Sequence, residues 1–173
     1  MRMRQILWAV VLAAMTVGAT TLEQLTVADM IDQSSAIVRA KVQGTFAANR
    51  NGTIYTYYHL QVTENLKSTT PATVDVAVPG GSLGRVSQSV AGAPELKVGA
   101  EYVLFLWTSK SGLTQIIGLS QGAFDVRSDA AGKLILGRPA IAERMLDAAG
   151  REVTDKGTSL TLDDLRNRVR GNR

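Results

Sequence analysis

The sequence predicts a mainly β fold: an antiparallel β domain with a short helix before it and an amphipathic helix after it. Three observations carry this prediction. Apolar and polar residues alternate with a period of two in several short segments between residues 36 and 136. Turn residues separate these segments. Capped helical patterns occur near the two ends. The 173 residues, 45% of them apolar, suffice for one domain with a buried core.

The chain begins "MRMRQILWAVVLAAMTVGATT", in which basic residues precede an apolar run and then small residues. The run is shorter than the ~20 residues that a helix needs to cross a bilayer. Val17 and Ala19 occupy the positions that signal peptidase reads. We therefore expect residues 1–19 to be a signal peptide and the protein to be exported, to the periplasm or the cell exterior, with no stable membrane span after cleavage. An uncleaved membrane anchor is the alternative.

The chain contains no cysteine, which excludes disulfides, thiolate metal sites and cysteine nucleophiles. Because small secreted animal domains usually depend on disulfides, an exported chain without them indicates a bacterial protein. The 19 basic and 15 acidic residues are mixed along the chain, which argues against nucleic acid as a partner. No cofactor or metal motif is present, so we expect neither.

The first elements are a capped helix and a hairpin. "LTVADMIDQS" has Thr26 and Asp29 at the spacing of a capping box. "SSAIVRAKVQGTF" alternates as a half-buried strand, and Asn51-Gly52 predicts a tight turn into a second strand. On the first strand, one predicted face comprises Ile37, Arg39, Lys41 and Gln43. On the second strand, we expect the inward residues to be Ile54, Tyr58, Leu60 and Val62, and the outward ones to be Tyr55, Tyr57, His59 and Gln61.

The middle of the chain predicts three further pieces of sheet. "PATVDVAVPGG" alternates and ends at Pro-Gly-Gly, as a third strand. Residues 82–99 predict a long loop, with "RVSQSV" as a candidate edge strand. "EYVLFLW" is apolar without alternation, which predicts a strand covered on both faces and paired with residues 113–118. Residues 123–136 predict a hairpin that turns at 129–132.

The sequence divides into the signal peptide, a β domain at residues 20–137 and a C-terminal part at residues 138–173 that packs on it; the resemblance described below implies that the β domain is an OB-like barrel. This last part comprises a hairpin about Ala149-Gly150 and an amphipathic helix with a capping box at Thr161 and Asp164. Basic residues favour the end of that helix, as the helix dipole prefers. We interpret it as a docked helix; contact with an acidic polymer or lipid is the alternative.

The segment "GLSQG", residues 118–122, matches the pattern of a hydrolase nucleophile, with Ser120 as the candidate serine. Such a serine needs a helix after it and a base to take its proton. A predicted hairpin follows instead, and the one histidine, His59, precedes the serine, whereas the hydrolase order places it after. We therefore predict no catalytic residue, and interpret the two glycines as a bend or a close backbone approach.

Four segments resemble, in order, an uncharacterised family of exported bacterial proteins: "SSAIVRAKVQGTF", "GTIYTYYHLQVTENLK", "VGAEYVLFL" and "TQIIGLSQGAFDV". More distantly, the same order is similar to the netrin-like domain of the tissue inhibitors of metalloproteinases. This resemblance, over residues 34–127, implies a small antiparallel barrel of the OB type. In the inhibitors an N-terminal cysteine reaches the protease zinc. Because this chain has no cysteine, the resemblance implies the fold and no functional residues.

Barrels of the OB type often bind oligosaccharides or oligonucleotides across their second and third strands. The outward residues there, with the basic residues of the preceding strand, form the predicted ligand-binding face: Arg39, Lys41, Tyr55, Tyr57 and His59. The alternative is a solvent-facing strand, or tyrosines covered by the C-terminal part. Two functions stay open. One is a protein-interaction module of the bacterial envelope or exterior, with proteases as candidate partners; the other is a module that binds polysaccharide of the cell wall.

Overall fold

The structure is a computed structural model and describes residues 21–172. The predicted signal peptide lies outside these residues. Two helices are present in the described part, α1 (Val27–Gln33) and α2 (Leu162–Gly171). In chain order the strands are β1 (Leu22–Glu23), β2 (Ala36–Arg50), β3 (Thr53–Lys67), β4 (Thr73–Pro79), β5 (Gly81–Leu83), β6 (Val86–Gln88), β7 (Glu101–Thr108), β8 (Thr114–Ile116), β9 (Ala123–Ser128), β10 (Leu134–Arg138), β11 (Met145–Leu146), β12 (Glu152–Val153) and β13 (Thr158–Thr161).

The main sheet runs in the order β13-β10-β9-β7-β2-β3-β4, with β8 also pairing with β7. All of these pairs are antiparallel. The sheet curls until β8 lies against β4, which gives a half-barrel of β2, β3, β4, β8 and β7. The predicted fold class, mainly β with an OB-like barrel and a helix at each end, is thereby confirmed.

A hydrophobic core lies on each face of the sheet. The inner core, inside the half-barrel, includes Val38 and Leu104. The outer core lies between the other face and the two helices, and it includes Ile37 and Phe105. Strand β7 therefore buries successive residues on opposite sides. This arrangement explains why residues 101–107 are apolar without alternation, and it confirms the strand covered on both faces.

The predicted hairpin turn between β2 and β3 is also confirmed. Asn51 and Gly52 both have positive φ angles, 53° and 85°, as a tight two-residue turn between twisted strands requires. The outward and inward residues of β3 alternate as predicted, with Ile54, Tyr58 and Leu60 buried. Strand β2, however, is not half-buried throughout. Ile37 shares its predicted face with Arg39 and Lys41 but is fully buried, because the helices cover that end of the sheet.

Both predicted capping boxes are present. At α1, Thr26 Oγ1 accepts from the backbone N–H of Asp29 at 3.1 Å, and Asp29 Oδ2 accepts from the N–H of Thr26 at 2.8 Å. The Thr26 hydroxyl also donates to Asp29 Oδ2, at 2.6 Å. This hydrogen bond, together with that from the Thr26 N–H, holds the pKa of the Asp29 carboxyl below its usual value. At α2, Thr161 and Asp164 make the same reciprocal pair. Each helix therefore begins where its capping residues predict.

The structure adds pairings that the sequence did not predict. Residues 82–99 are not a loop throughout: the candidate edge strand, β6, pairs with β5 in a small separate hairpin. The tail hairpin was predicted, and β11 and β12 form it. The parallel pairing of β1 with β11 was not predicted. Beyond the tail hairpin, β13 pairs with β10 and joins the main sheet. The C-terminal part thus extends the barrel sheet as well as packing on it.

Candidate functional site

The β2–β3 hairpin carries three aromatic side chains on its outer face, Phe46, Tyr55 and Tyr57, which we call the aromatic strip. Phe46 lies directly opposite Tyr57 in the β2–β3 register. Their rings are stacked, with centroids 4.9 Å apart and planes 5° apart. The ring centroids of Tyr55 and Tyr57 are 6.3 Å apart, and their planes are tilted by 55°. Phe46 is 50% exposed and the two tyrosines are partly exposed, so the strip presents a continuous aromatic surface to solvent.

Sequence reasoning missed Phe46, because it assumed strict alternation along β2. Alternation from Lys41 would turn Phe46 inward. The pairing of β2 with β3 shifts between Val42 and Gly44, where a bulge inserts an extra residue on β2. Beyond this bulge Gly44 is opposite His59 and the alternation is reversed, so Phe46 faces outward. A glycine inside a strand pattern is the signal that could have predicted the bulge.

Hydrogen-bonding side chains lie beside the strip on the same face. His59 Nδ1 and Asp75 Oδ1, on neighbouring strands, are 2.7 Å apart, and both side chains are nearly half exposed. Gln43 Nε2 donates to Gln61 Oε1 at 2.7 Å. These groups are exposed and hold one another in place, so they offer donors and acceptors of fixed position next to the aromatic rings.

The two basic residues of the predicted face differ in their surroundings. Lys41 is exposed and lies in register between Gln61 on β3 and Glu101 on β7. Arg39 is partly buried and its Nη2 donates to Glu101 Oε2 at 2.7 Å. Thr63 Oγ1 also donates to Glu101, at 3.1 Å. The structure therefore places Lys41 on the open face, whereas the charge of Arg39 is already balanced by Glu101.

The C-terminal helix does not cover the tyrosines of the strip. It packs at the opposite end of β3, where Arg166 Nε and Nη2 each donate to Glu64, both at 2.8 Å. Arg166 also donates to Asp163 at 2.6 Å. These hydrogen bonds, that to Glu64 above all, raise the pKa of the Arg166 guanidinium above its usual value. The helix is thus fixed away from the strip by a bidentate ion pair.

A separate cleft of about 640 Å³ opens on the inner side of the hairpin, between β3, the start of β5 and residues 88–98. Tyr58 OH accepts from the N–H of Leu96 at 3.2 Å, which ties the loop to the barrel. Burial raises the pKa of the Tyr58 hydroxyl. Three apolar side chains in this region are exposed: Leu83 and Val86, which are paired on the β5–β6 hairpin, and Val98 in the loop.

The "GLSQG" segment forms one turn of 3₁₀ helix, Leu119–Gly122, and then continues into β9. The fully buried Gln121 side chain accepts from Leu25 N–H and donates to the Glu23 carbonyl, both at 2.8 Å. A Cβ on Gly122 would lie 2.5 Å from the Ile117 carbonyl oxygen. Through Gln121, the segment therefore holds the backbone of Glu23 and Leu25 in place. Gly122 allows the close backbone approach that was predicted.

Within residues 21–172, no three histidine or acidic side chains are grouped to hold a metal ion. None of the helices in that same part of the chain has the length and apolar content of a membrane span. Comparison of the chain with protein-family models, curated proteins and solved structures gave no match. The resemblance to the netrin-like domain stays a prediction.

Proposed function

We propose that the protein is a non-catalytic binding module of the bacterial envelope or exterior, and that it holds polysaccharide on the aromatic strip. The observation that carries this proposal is the exposed stack of Phe46 on Tyr57 with Tyr55 beside it. The proposed export of the protein rests on the signal-like start of the chain.

Sugar rings suit such a surface, because each has an apolar C–H face and a rim of hydroxyl groups. The apolar face packs on an aromatic ring, whose face carries negative potential. The hydroxyls take hydrogen bonds from neighbouring side chains, and the pairs His59–Asp75 and Gln43–Gln61 supply both donors and acceptors there. The half-barrel fold supports the same conclusion, because OB-type barrels use this region for oligosaccharides.

The test is calorimetric titration of the purified protein with soluble fragments of bacterial cell-wall polysaccharide. We expect the double variant Tyr55→Ala, Tyr57→Ala to bind at least about tenfold more weakly. A stacking aromatic contributes about 1–3 kcal/mol per base in single-stranded nucleic acid, and a similar contribution here corresponds to that factor.

The matched control is Trp107→Ala, because Trp107 is also an exposed aromatic side chain, 40% exposed, but lies on β7 outside the strip. This variant should bind as the unchanged protein does. If the double tyrosine variant kept full affinity for a bound polysaccharide, the strip would be excluded as the site. If no fragment bound the unchanged protein, polysaccharide would be excluded as the ligand class tested.

A protein partner is the second candidate function. The observation that favours it is a set of exposed apolar side chains: Leu83 and Val86, which are paired on the β5–β6 hairpin, and Val98, which lines the 640 Å³ cleft. Exposed apolar groups at the rim of a concave surface are typical of protein contacts. The test is capture from envelope extract on immobilised protein, with proteases as the first candidates because of the netrin-like resemblance. A Val86→Ser variant should lose the captured protein, and the double tyrosine variant should keep it.

A further inference from the structure

The main chain of β2 is only partly paired. It pairs with β3 along nearly its whole length, but with β7 only from Ala36 to Lys41. Val42 then exchanges hydrogen bonds with the backbone of residues 99 and 100, at 2.8 and 3.0 Å. Beyond this point, in the part of the chain that the structure describes, residues 43–49 pair with β3 alone. We call the other edge of residues 43–49 the free edge.

Beyond the bulge at Val42 and Gly44, the free edge lacks two features that commonly keep sheet edges apart, a charged residue and a proline. Edge strands usually carry a charge or a proline that blocks pairing with another chain. Residues 43–49 read "QGTFAAN", with no charged residue and no proline. Strand β4, at one end of the main sheet, contains Asp75 and Pro79 and lies against β8. At the other end, the short β13 leads directly into α2.

We propose that this edge is a homodimer interface, at which the free edges of two copies pair antiparallel about a two-fold axis. A single strand edge is self-complementary in this arrangement, because each residue meets its counterpart by symmetry. When residues 43–49 of the two copies overlap fully, Phe46 lies at the two-fold axis and residue 43 faces residue 49, so no charged side chain lies within the paired segment. The half-exposed Phe46 is then partly covered.

Pairing of this kind would join the two curled sheets into one. The local two-fold axis of an antiparallel pair stands perpendicular to the sheet, so both aromatic strips would lie on the same side. A dimer would therefore present two strips side by side, a suitable arrangement for a polymer with repeating units. The proposed interface is formed by main-chain hydrogen bonds, so the dimer does not require that the strip bind polysaccharide.

The first test is sedimentation equilibrium of the purified protein over the micromolar range. We expect a mass of two chains, and at least a tenfold weaker association for the double variant Phe46→Lys, Ala48→Lys, which sets like charges against each other across the axis. Trp107→Lys, a charge at another exposed aromatic position, should leave the dimer intact. Thermal unfolding of each variant shows whether it is folded.

The second test does not depend on disrupting the edge. Because the chain has no cysteine, single cysteines at Thr45, Phe46, Ala47 and Ala48 report directly on proximity. Mild oxidation should link two copies most efficiently at the position nearest the axis and less at its neighbours, whereas Thr69→Cys, in the exposed β3–β4 connection, should not link. A monomer at all concentrations would overturn the proposal. So would a dimer that resists the lysine variant and fails to cross-link.

Discussion

Removing the carboxylate of Asp155 should strongly destabilise the fold. Arg138 Nη1 and Nη2 donate to the two oxygens of Asp155 at 2.5 and 3.0 Å, and each side chain is only 5% exposed. Asp155 also accepts from the N–H of Ile141 at 2.8 Å, so this one carboxylate joins β10 to the connection that follows it. In an Asp155→Asn variant the shape is kept, but the buried guanidinium loses its counter-charge.

The expected magnitude follows from this burial. Breaking a buried ion pair by removing one partner costs about 3–5 kcal/mol, since the remaining charge is desolvated without compensation. For a domain of this size each kcal/mol lowers Tm by about 2–4 °C, so the variant should melt roughly 6–20 °C lower. The assay is thermal unfolding followed by circular dichroism. The control is Glu152→Gln, which breaks the exposed pair with Arg144 and should change stability by less than about 1 kcal/mol.

The same pair gives a pH dependence with a definite sign. The hydrogen bonds from Arg138 hold the pKa of Asp155 below its usual value in the folded protein. Its contribution to the free energy of unfolding is therefore complete above the unfolded pKa, near 3.9, and is lost as pH falls through the folded pKa. The stability difference between the unchanged protein and Asp155→Asn should narrow below about pH 4. Equal stability of the Asp155→Asn and Glu152→Gln variants at neutral pH would refute the reasoning.

Three further substitutions test the accounts of the turns and caps. Gly122→Ala should destabilise by about 1–3 kcal/mol, measured by urea unfolding, because its Cβ would press on the Ile117 carbonyl; an unchanged midpoint would contradict the close approach. Gln121→Leu should free the backbone at Glu23 and Leu25, so limited proteolysis should cut near these residues sooner; unchanged cleavage would exclude the anchoring role. Thr161→Ala should lower stability by about 1 kcal/mol through loss of the α2 cap, and Thr69→Ala, outside any cap, should not.

Local signals predicted those parts of the fold that depend on neighbouring residues. The Asn51-Gly52 turn and the capping boxes at Thr26 and Thr161 are examples, because their hydrogen bonds span only a few residues. The alternation of β3 likewise predicted which face carries Tyr55 and Tyr57. Such features follow from local chemistry and are retained in the folded protein.

Features that depend on contacts between distant segments could not be predicted from sequence patterns. The bulge that turns Phe46 outward depends on how β2 pairs with β3, and a run of alternating residues does not reveal it. The burial of Ile37 depends on helices from both ends of the chain. The pairing of Arg138 with Asp155 spans 17 residues and an intervening hairpin, so no periodic pattern connects the two. These contacts form only when the tertiary structure brings separate segments together.

The most direct test of the proposed function is an NMR titration of the aromatic ring and methyl resonances with the soluble polysaccharide fragments. Binding at the aromatic strip predicts saturable shifts for Phe46, Tyr55 and Tyr57, and none for Phe105 and Phe124, which pack against each other in the outer core. Saturable shifts confined to Val86 on the β5–β6 hairpin and Val98 at the cleft, or no shift at the strip when the fragment is bound, would contradict it.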